Sequence, residues 1–132
     1  MPKLAHKGDA GYDLVSRVTL TLKPGERALI PTGVAMSIPE GYAGFIQPRS
    51  GLAAKHGISI VNTPGLIDSH YRGEIKVIII NLDKENTFTV KRGDKVCQIL
   101  FQKVEDAIFE EVPELDKTER GTGGFGSTGL ES

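Results

Sequence analysis

Pro48-Arg49-Ser50-Gly51-Leu52-Ala53 brings a guanidinium, a hydroxyl and a glycine together where an alternating stretch gives way to a helix-compatible one. A chain that leaves a strand and starts a helix at this point has the N–H groups of Ser50 and Gly51 free of helical acceptors, so they are donors for an anion. Arg49 adds a planar cation, Ser50 a hydroxyl, and Gly51 lets a phosphate approach the backbone. An ordinary helix start with a surface arginine has the same composition, so the block alone leaves both readings open.

A second block, Asn62-Thr63-Pro64-Gly65-Leu66-Ile67-Asp68-Ser69-His70-Tyr71-Arg72-Gly73-Glu74, reads as a hairpin-like segment turning at Pro64-Gly65, with Asp68 and Tyr71 projecting from it. Exposed hairpin backbone offers donors and acceptors to a flat polar base. Asp68 precedes the cations Arg72 and Lys76, which favour an ionised carboxylate able to take a proton from water. An aspartate bonding only its own turn is the alternative. Five of the twelve residues from Gly121 to Ser132 are glycine, and around them stand Arg120, Phe125, Ser127 and Thr128. That mixture of cation, aromatic plane, hydroxyls and open N–H groups suits either a tail that closes on a nucleotide or a flexible terminus. Ala10-Gly11-Tyr12-Asp13-Leu14 and Gly93-Asp94-Lys95-Val96-Cys97-Gln98-Ile99-Leu100-Phe101 complete the set.

The elements that must position these residues are short strands. Apolar residues alternate over Val18–Leu22, Val34–Ile38 and Ile108–Val112, a period of two. Lys23-Pro24-Gly25-Glu26, Pro39-Glu40-Gly41 and Lys91-Arg92-Gly93-Asp94 sit between such runs and are expected as hairpin connections. About ten strands at roughly 8 to 12 residue spacing predict an all-β jelly-roll-like sandwich or barrel, and the one helix candidate is Ser50 to His56. From Glu74 to Leu82, Ile75, Val77 and Ile79 make one apolar face, while the other face turns apolar at Ile78, Ile80 and Leu82. Burial on both faces suggests a covering partner subunit.

The 132 residues suffice for one core. Sixteen cations against seventeen anions leave a net charge of -1, so there is no general basic field to hold nucleic acid, and an anionic ligand must be met locally. The single Cys97 excludes an internal disulfide. The longest aliphatic run, Val77 to Ile80, is far short of the ~20 residues of a membrane span, and no signal-peptide pattern opens the chain. A cytoplasmic setting is expected. After Pro113 the chain becomes charged and then glycine-rich, so residues 1–113 are expected to form the core and 114–132 an extended arm.

Taken in order, the five blocks resemble the five motifs of the homotrimeric all-β dUTPases, over nearly the whole chain. The resemblance implies a jelly-roll subunit in a trimer, with active sites shared between subunits and the arm closing as a lid over a neighbour's site. It implies hydrolysis of dUTP to dUMP and pyrophosphate, which keeps uracil out of DNA and supplies dUMP for dTMP synthesis. By the same resemblance Asp68 activates the attacking water and binds the sugar 3′-hydroxyl, and Tyr71 packs on the deoxyribose. Asn62 and the main chain of Gly65, Leu66 and Ile67 read uracil. Arg49, Ser50, Gly51 and Gln98 hold the phosphates and Lys76 lines the pocket. Asp13 meets Mg²⁺ through water, the ion being held mainly by the triphosphate. From the arm, Phe125 covers the base while Arg120, Gly126, Ser127 and Thr128 close on the β and γ phosphates. Two departures stand out: His70 occupies a place where many members have a second acid, and only nine residues precede Ala10. A deaminase of the same wider fold, acting on dCTP, and a nucleotide-sensing binding protein are the competing readings.

Overall fold

Short alternating stretches bounded by glycine and proline fold as strands, since each buries one row of side chains and reverses at residues that tolerate tight turns. The computed structural model describes residues 1–126. In chain order it contains β1 (Lys3–Leu4), β2 (Tyr12–Val15), β3 (Leu20–Leu22), β4 (Arg27–Pro31), β5 (Tyr42–Gln47), α1 (Ser50–His56), β6 (Ile58–Ile60), β7 (Gly65–Ile67), β8 (Lys76–Asn81), β9 (Phe88–Val90) and β10 (Lys95–Lys103). The strands form a five-stranded sheet in the order β1-β2-β10-β5-β7, a three-stranded sheet β4-β8-β6 and a pair β3-β9, with every pairing antiparallel. Leu14, Ile46 and Ile99 from the first sheet, Ile30, Ile60, Val77 and Ile79 from the second, and Leu22 and Val90 from the pair share one core. This is the expected all-β sandwich.

The three turns fall where the sequence places them, but they are not hairpins. β3 pairs with β9 while β4 pairs with β8, so the turn at Lys23–Glu26 passes the chain between sheets. The turn at Lys91–Asp94 likewise joins β9 to β10, and the one at Pro39–Gly41 leads into β5 from an irregular segment. Turn chemistry fixes a reversal; the partner strand is chosen by where its apolar face is buried. Val34–Ile38 is not a strand, although Ile38 is buried and the Val34 carbonyl accepts the Ile75 N–H at 2.7 Å. Ile108–Val112 is not one either: it pairs with no strand among the described residues, and Ile108 and Phe109 are both 95% exposed. The stretch at Val18 narrows to β3.

Within β8, Val77, Ile79 and Asn81 turn inward and are buried. The buried Asn81 amide donates to the Leu22 and Asn86 carbonyls, each at 2.9 Å, and its oxygen accepts the Asp83 N–H at 2.9 Å, so its polarity is satisfied. The outer face does not show the expected second burial inside one chain. Ile78 and Ile80 are half-buried, while Leu29, Val61 and Leu82 are exposed beside them. No helix among the described residues is long and apolar enough to cross a membrane.

Candidate functional site

The 62–74 block does not make its own hairpin. Asn62 lies in an exposed turn, and Gly65, expected at the turn, opens strand β7, which pairs with β5 through Ile46↔Gly65, Phe45↔Leu66 and Gly44↔Ile67. β7 is the last strand of its sheet, so alternate N–H and C=O groups of Gly65–Ile67 face outward without a ladder partner among the described residues. That edge can read a flat polar ring by main-chain groups alone. Gly65 itself is buried, and a Cβ there would stand 3.4 Å from the Cβ of Ile46.

Asp68 follows the last residue of β7 and enters a tight loop. The Tyr71 N–H donates to the Asp68 carbonyl at 3.1 Å, the Tyr71 hydroxyl to the Glu74 carbonyl at 2.8 Å, and the Arg72 guanidinium to the Ser69 and Tyr71 carbonyls at 2.7 and 3.2 Å. Arg72 therefore braces the loop, and no ion pair joins it to Asp68 among the described residues. Asp68, Tyr71, Ile67, Glu74 and Lys76 line one cleft of about 460 Å³. Lys76, at the start of β8, brings a cation to that cleft, while the buried Ile75 anchors the loop's far end by accepting the Thr32 hydroxyl at 2.6 Å. His70 points elsewhere, to Glu40 at 3.1 Å on the surface.

The residues expected to hold phosphates gather at a different place. Asp13 of β2, Gln98 of β10 and Gln47 of β5 are register partners across three adjacent strands, and two residues after Gln47 stands Arg49, the N-cap of α1. Gly11 leaves room for the Gln98 side chain, since a Cβ there would stand 2.7 Å from Gln98 Oε1 and 3.1 Å from its Cβ. The Arg49 guanidinium donates to the Lys95 carbonyl at 3.1 Å. Helical bonding begins with the Ala53 N–H to the Arg49 carbonyl, which leaves the N–H groups of Ser50 and Gly51 without helical acceptors, and among the described residues nothing lies within 4 Å of a Cβ placed on Gly51. Ser50 is the first helical residue and no side chain caps the helix.

One chain keeps these two groups apart. Arg49 lies beyond the Gln47 end of β5, whereas Asp68 lies beyond the opposite end, where Ile67 pairs with Gly44. Three strand residues, roughly 10 Å at 3.3 Å each, separate the two ends before the flanking residues are counted. In the arm, no strand or helix follows β10 as far as Gly126, Arg120 bonds back to the Gly123 carbonyl, and the Phe125 ring is fully exposed at φ 50°. Ser127 and Thr128 lie outside the described residues. Lys95, which reaches Asp13 at 3.5 Å, was not singled out by sequence reasoning.

The donor set suits a divalent cation that arrives on its ligand. Among the described residues no three His, Cys, Asp or Glu side chains gather to hold an ion, and Asp13 brings a single carboxylate to the phosphate-type row. Mg²⁺ commonly keeps several waters and binds through one or two carboxylates plus phosphate oxygens.

The dUTPase family model matches residues 1–129. Over 129 residues the chain is 54% identical to the deoxyuridine 5'-triphosphate nucleotidohydrolase of Thermobifida fusca, covering 98% of this chain and 72% of that protein. The protein of the same name from Mycolicibacterium gilvum is 55% identical, with 98% and 87% covered. Among solved structures, a variant of the Staphylococcus bacteriophage 80alpha dUTPase with dUpNHpp superposes with a TM-score of 0.90 at 33% identity, covering 98% of this chain and 92% of that one. A variant dUTPase from phage phi11 of S. aureus, described with a structural Mg(II) ion, has a TM-score of 0.80 at 33% identity, with 89% and 92% covered.

Proposed function

The chain belongs to the dUTPase family, and from that premise we propose that it is a dUTP nucleotidohydrolase whose working site combines the Asp68 cleft of one copy with the Arg49 row of another. The observation that carries the reading is the shared loop of Asp68 and Tyr71, set directly beyond the open main-chain edge of β7. Base, sugar and water are thereby addressed within ten consecutive residues, Asn62 to Tyr71. Uracil bonds to the outward main-chain groups of Gly65, Leu66 and Ile67 and to Asn62. Cytosine presents a donor where uracil presents an acceptor, and a buried mispaired group costs about 1 to 3 kcal/mol. The Tyr71 ring packs against the deoxyribose and occupies the place of a 2′-hydroxyl.

The Asp68 carboxylate accepts a proton from water, whose oxygen bonds to the α-phosphorus as the bridging oxygen to the β-phosphorus leaves. The products are dUMP and pyrophosphate. Arg49, Ser50, the N–H of Gly51 and Gln98 hold the phosphates in line, so catalysis rests on positioning and charge neutralisation. Asp13 would meet the water shell of a Mg²⁺ ion carried on the triphosphate, and that ion would lower the negative charge of the substrate. Residues 114–132 act as the arm: Phe125 covers the uracil, while Arg120, Gly126, Ser127 and Thr128 close on the β and γ phosphates.

A homotrimer supports this arrangement in two ways. It supplies a second chain to bridge the roughly 10 Å between the two ends of β5, and it covers the apolar outer face of Leu29, Ile78, Ile80 and Leu82. The setting is cytoplasmic, where the reaction keeps uracil out of DNA and yields dUMP for dTMP synthesis. Phosphorus NMR of the protein with Mg²⁺ and dUTP, dCTP, dTTP or UTP in separate tubes tests the reading. Pyrophosphate from dUTP alone is expected; its absence from that tube overturns the activity.

A further inference from the structure

Strand β10 carries a bulge whose effect is to change the face of one side chain. Gln98 pairs with Asp13 and Cys97 with Leu14, but Lys95 pairs with Val15 because Val96 is inserted between. In an unbroken strand Lys95 and Gln98, three positions apart, point to opposite faces. The extra residue reverses that parity: Val96 and Cys97 are both buried, and Lys95 turns to the face that Asp13 and Gln98 share. Its ammonium lies 3.5 Å from the Asp13 carboxylate, and its carbonyl accepts the Arg49 guanidinium at 3.1 Å. One residue thus touches both a carboxylate and a cation of the phosphate row.

The pair differs from a surface ion pair in one respect. The Asp13 side chain is only 11% exposed, and Lys95 is its one ionic partner among the described residues. A carboxylate so placed depends on that partner for both its compensating charge and its direction. Taking the proposed dUTP site as given, we propose that Lys95 is a positioning residue of that site, holding Asp13 in the orientation from which it meets the water shell of the phosphate-bound cation. The bulge at Val96 is the device that places it there.

The test separates orientation from general damage. Binding of dUpNHpp is measured by calorimetry with Mg²⁺ and with EDTA. In Lys95→Met the tightening that Mg²⁺ brings falls about fivefold or more, binding in EDTA changes little, and Lys95→Arg restores the increment. Combined with Asp13→Asn, Lys95→Met adds no further loss, as expected of residues that act as a unit. An unchanged Mg²⁺ increment in Lys95→Met, or losses that add in full, overturns the proposal. So does an equal loss with and without Mg²⁺, which marks a merely structural residue. If the parent chain binds no dUpNHpp, the dUTP reading fails, and the Asp13 carboxyl carbon resonance in nucleotide-free protein at pH 7 then decides the pairing. That resonance moves in Lys95→Met and not in Lys84→Met; an unmoved signal overturns the pairing itself.

Discussion

The Tyr71 phenol folds back over its own loop so closely to Gly73 that a Cβ on that glycine would stand 2.5 Å from the hydroxyl oxygen and 2.7 Å from the ring carbon bearing it. The hydroxyl donates to the Glu74 carbonyl on the far side, so the ring is held between one residue's lack of a side chain and the next residue's backbone. Gly73→Ala must push the ring out of this position, since the obstruction includes ring atoms as well as the hydroxyl. If the ring is what excludes a ribose, discrimination between dUTP and UTP drops about tenfold or more in Gly73→Ala, through faster UTP turnover relative to dUTP. Steady-state kcat/KM for both nucleotides checks this, and an unchanged ratio means that Tyr71 does not read the sugar.

Asp68→Asn keeps the size and most of the polarity of the side chain but removes its capacity to accept a proton as a carboxylate. The loop bonds around it are made by backbone groups, Tyr71 and Arg72, so the loop stays in place. Binding of dUTP should remain within about threefold while kcat falls by about three orders of magnitude or more. Near-normal turnover removes Asp68 from its assigned role.

How much of this was legible in the sequence differs from residue to residue. The bounds expected for α1, Ser50 to His56, hold: the structure starts the helix after Arg49 in extended backbone and stops it at Gly57, left-handed at φ 67°. The inward rows of β8 followed from strict alternation. The turns at Gly25 and Gly93 were also legible, but not which sheet receives the chain after them, since strand pairing is decided by contacts far away in sequence. The Val96 bulge was invisible for a related reason: Lys95-Val96-Cys97 looks like any alternating strand with one extra apolar residue. Its consequence, Lys95 beside Asp13, requires the register of β2 to be known. For Ile108–Val112 the period was present and the partner backbone was not.

A site shared between copies makes a prediction that no single-chain site makes. Asp68→Asn and Arg49→Ala should each be nearly inactive alone. Unfolded together and refolded as a mixed trimer, they regain activity in about a quarter of the sites, because half of the chains at each of two contributing positions are intact. Equal mixing followed by a dUTP assay checks this. If mixed samples stay as inactive as their components, Asp68 and Arg49 work within one chain.

Removal of residues 120–132 should leave the sandwich intact, since among the described residues the common core draws on none beyond Ile99. The melting temperature stays within a few degrees while kcat/KM for dUTP falls about a hundredfold or more, the arm's contribution being made only when ligand is present. Unchanged kcat/KM in the truncated chain defeats the lid assignment.

Cys97 lies fully buried in β10, and burial, helped by the nearby Asp13 carboxylate, pushes its thiol from an ordinary 9.0 up to about 12. The folded protein therefore keeps a proton that the unfolded chain gives up first. Its contribution is complete below pH 9 and is lost as pH rises toward 12, at about 1.4 kcal/mol per pH unit once the unfolded thiol is ionised. Cys97→Ala lacks this term. Urea unfolding from pH 7 to 10.5 should show the variant less stable by about 1 to 3 kcal/mol at pH 7, with the gap narrowing above pH 9. A gap that stays constant to pH 10.5 means that the thiol ionises alike in both states, and that its strand is more open to water than its packing against Leu14 and Ile99 implies.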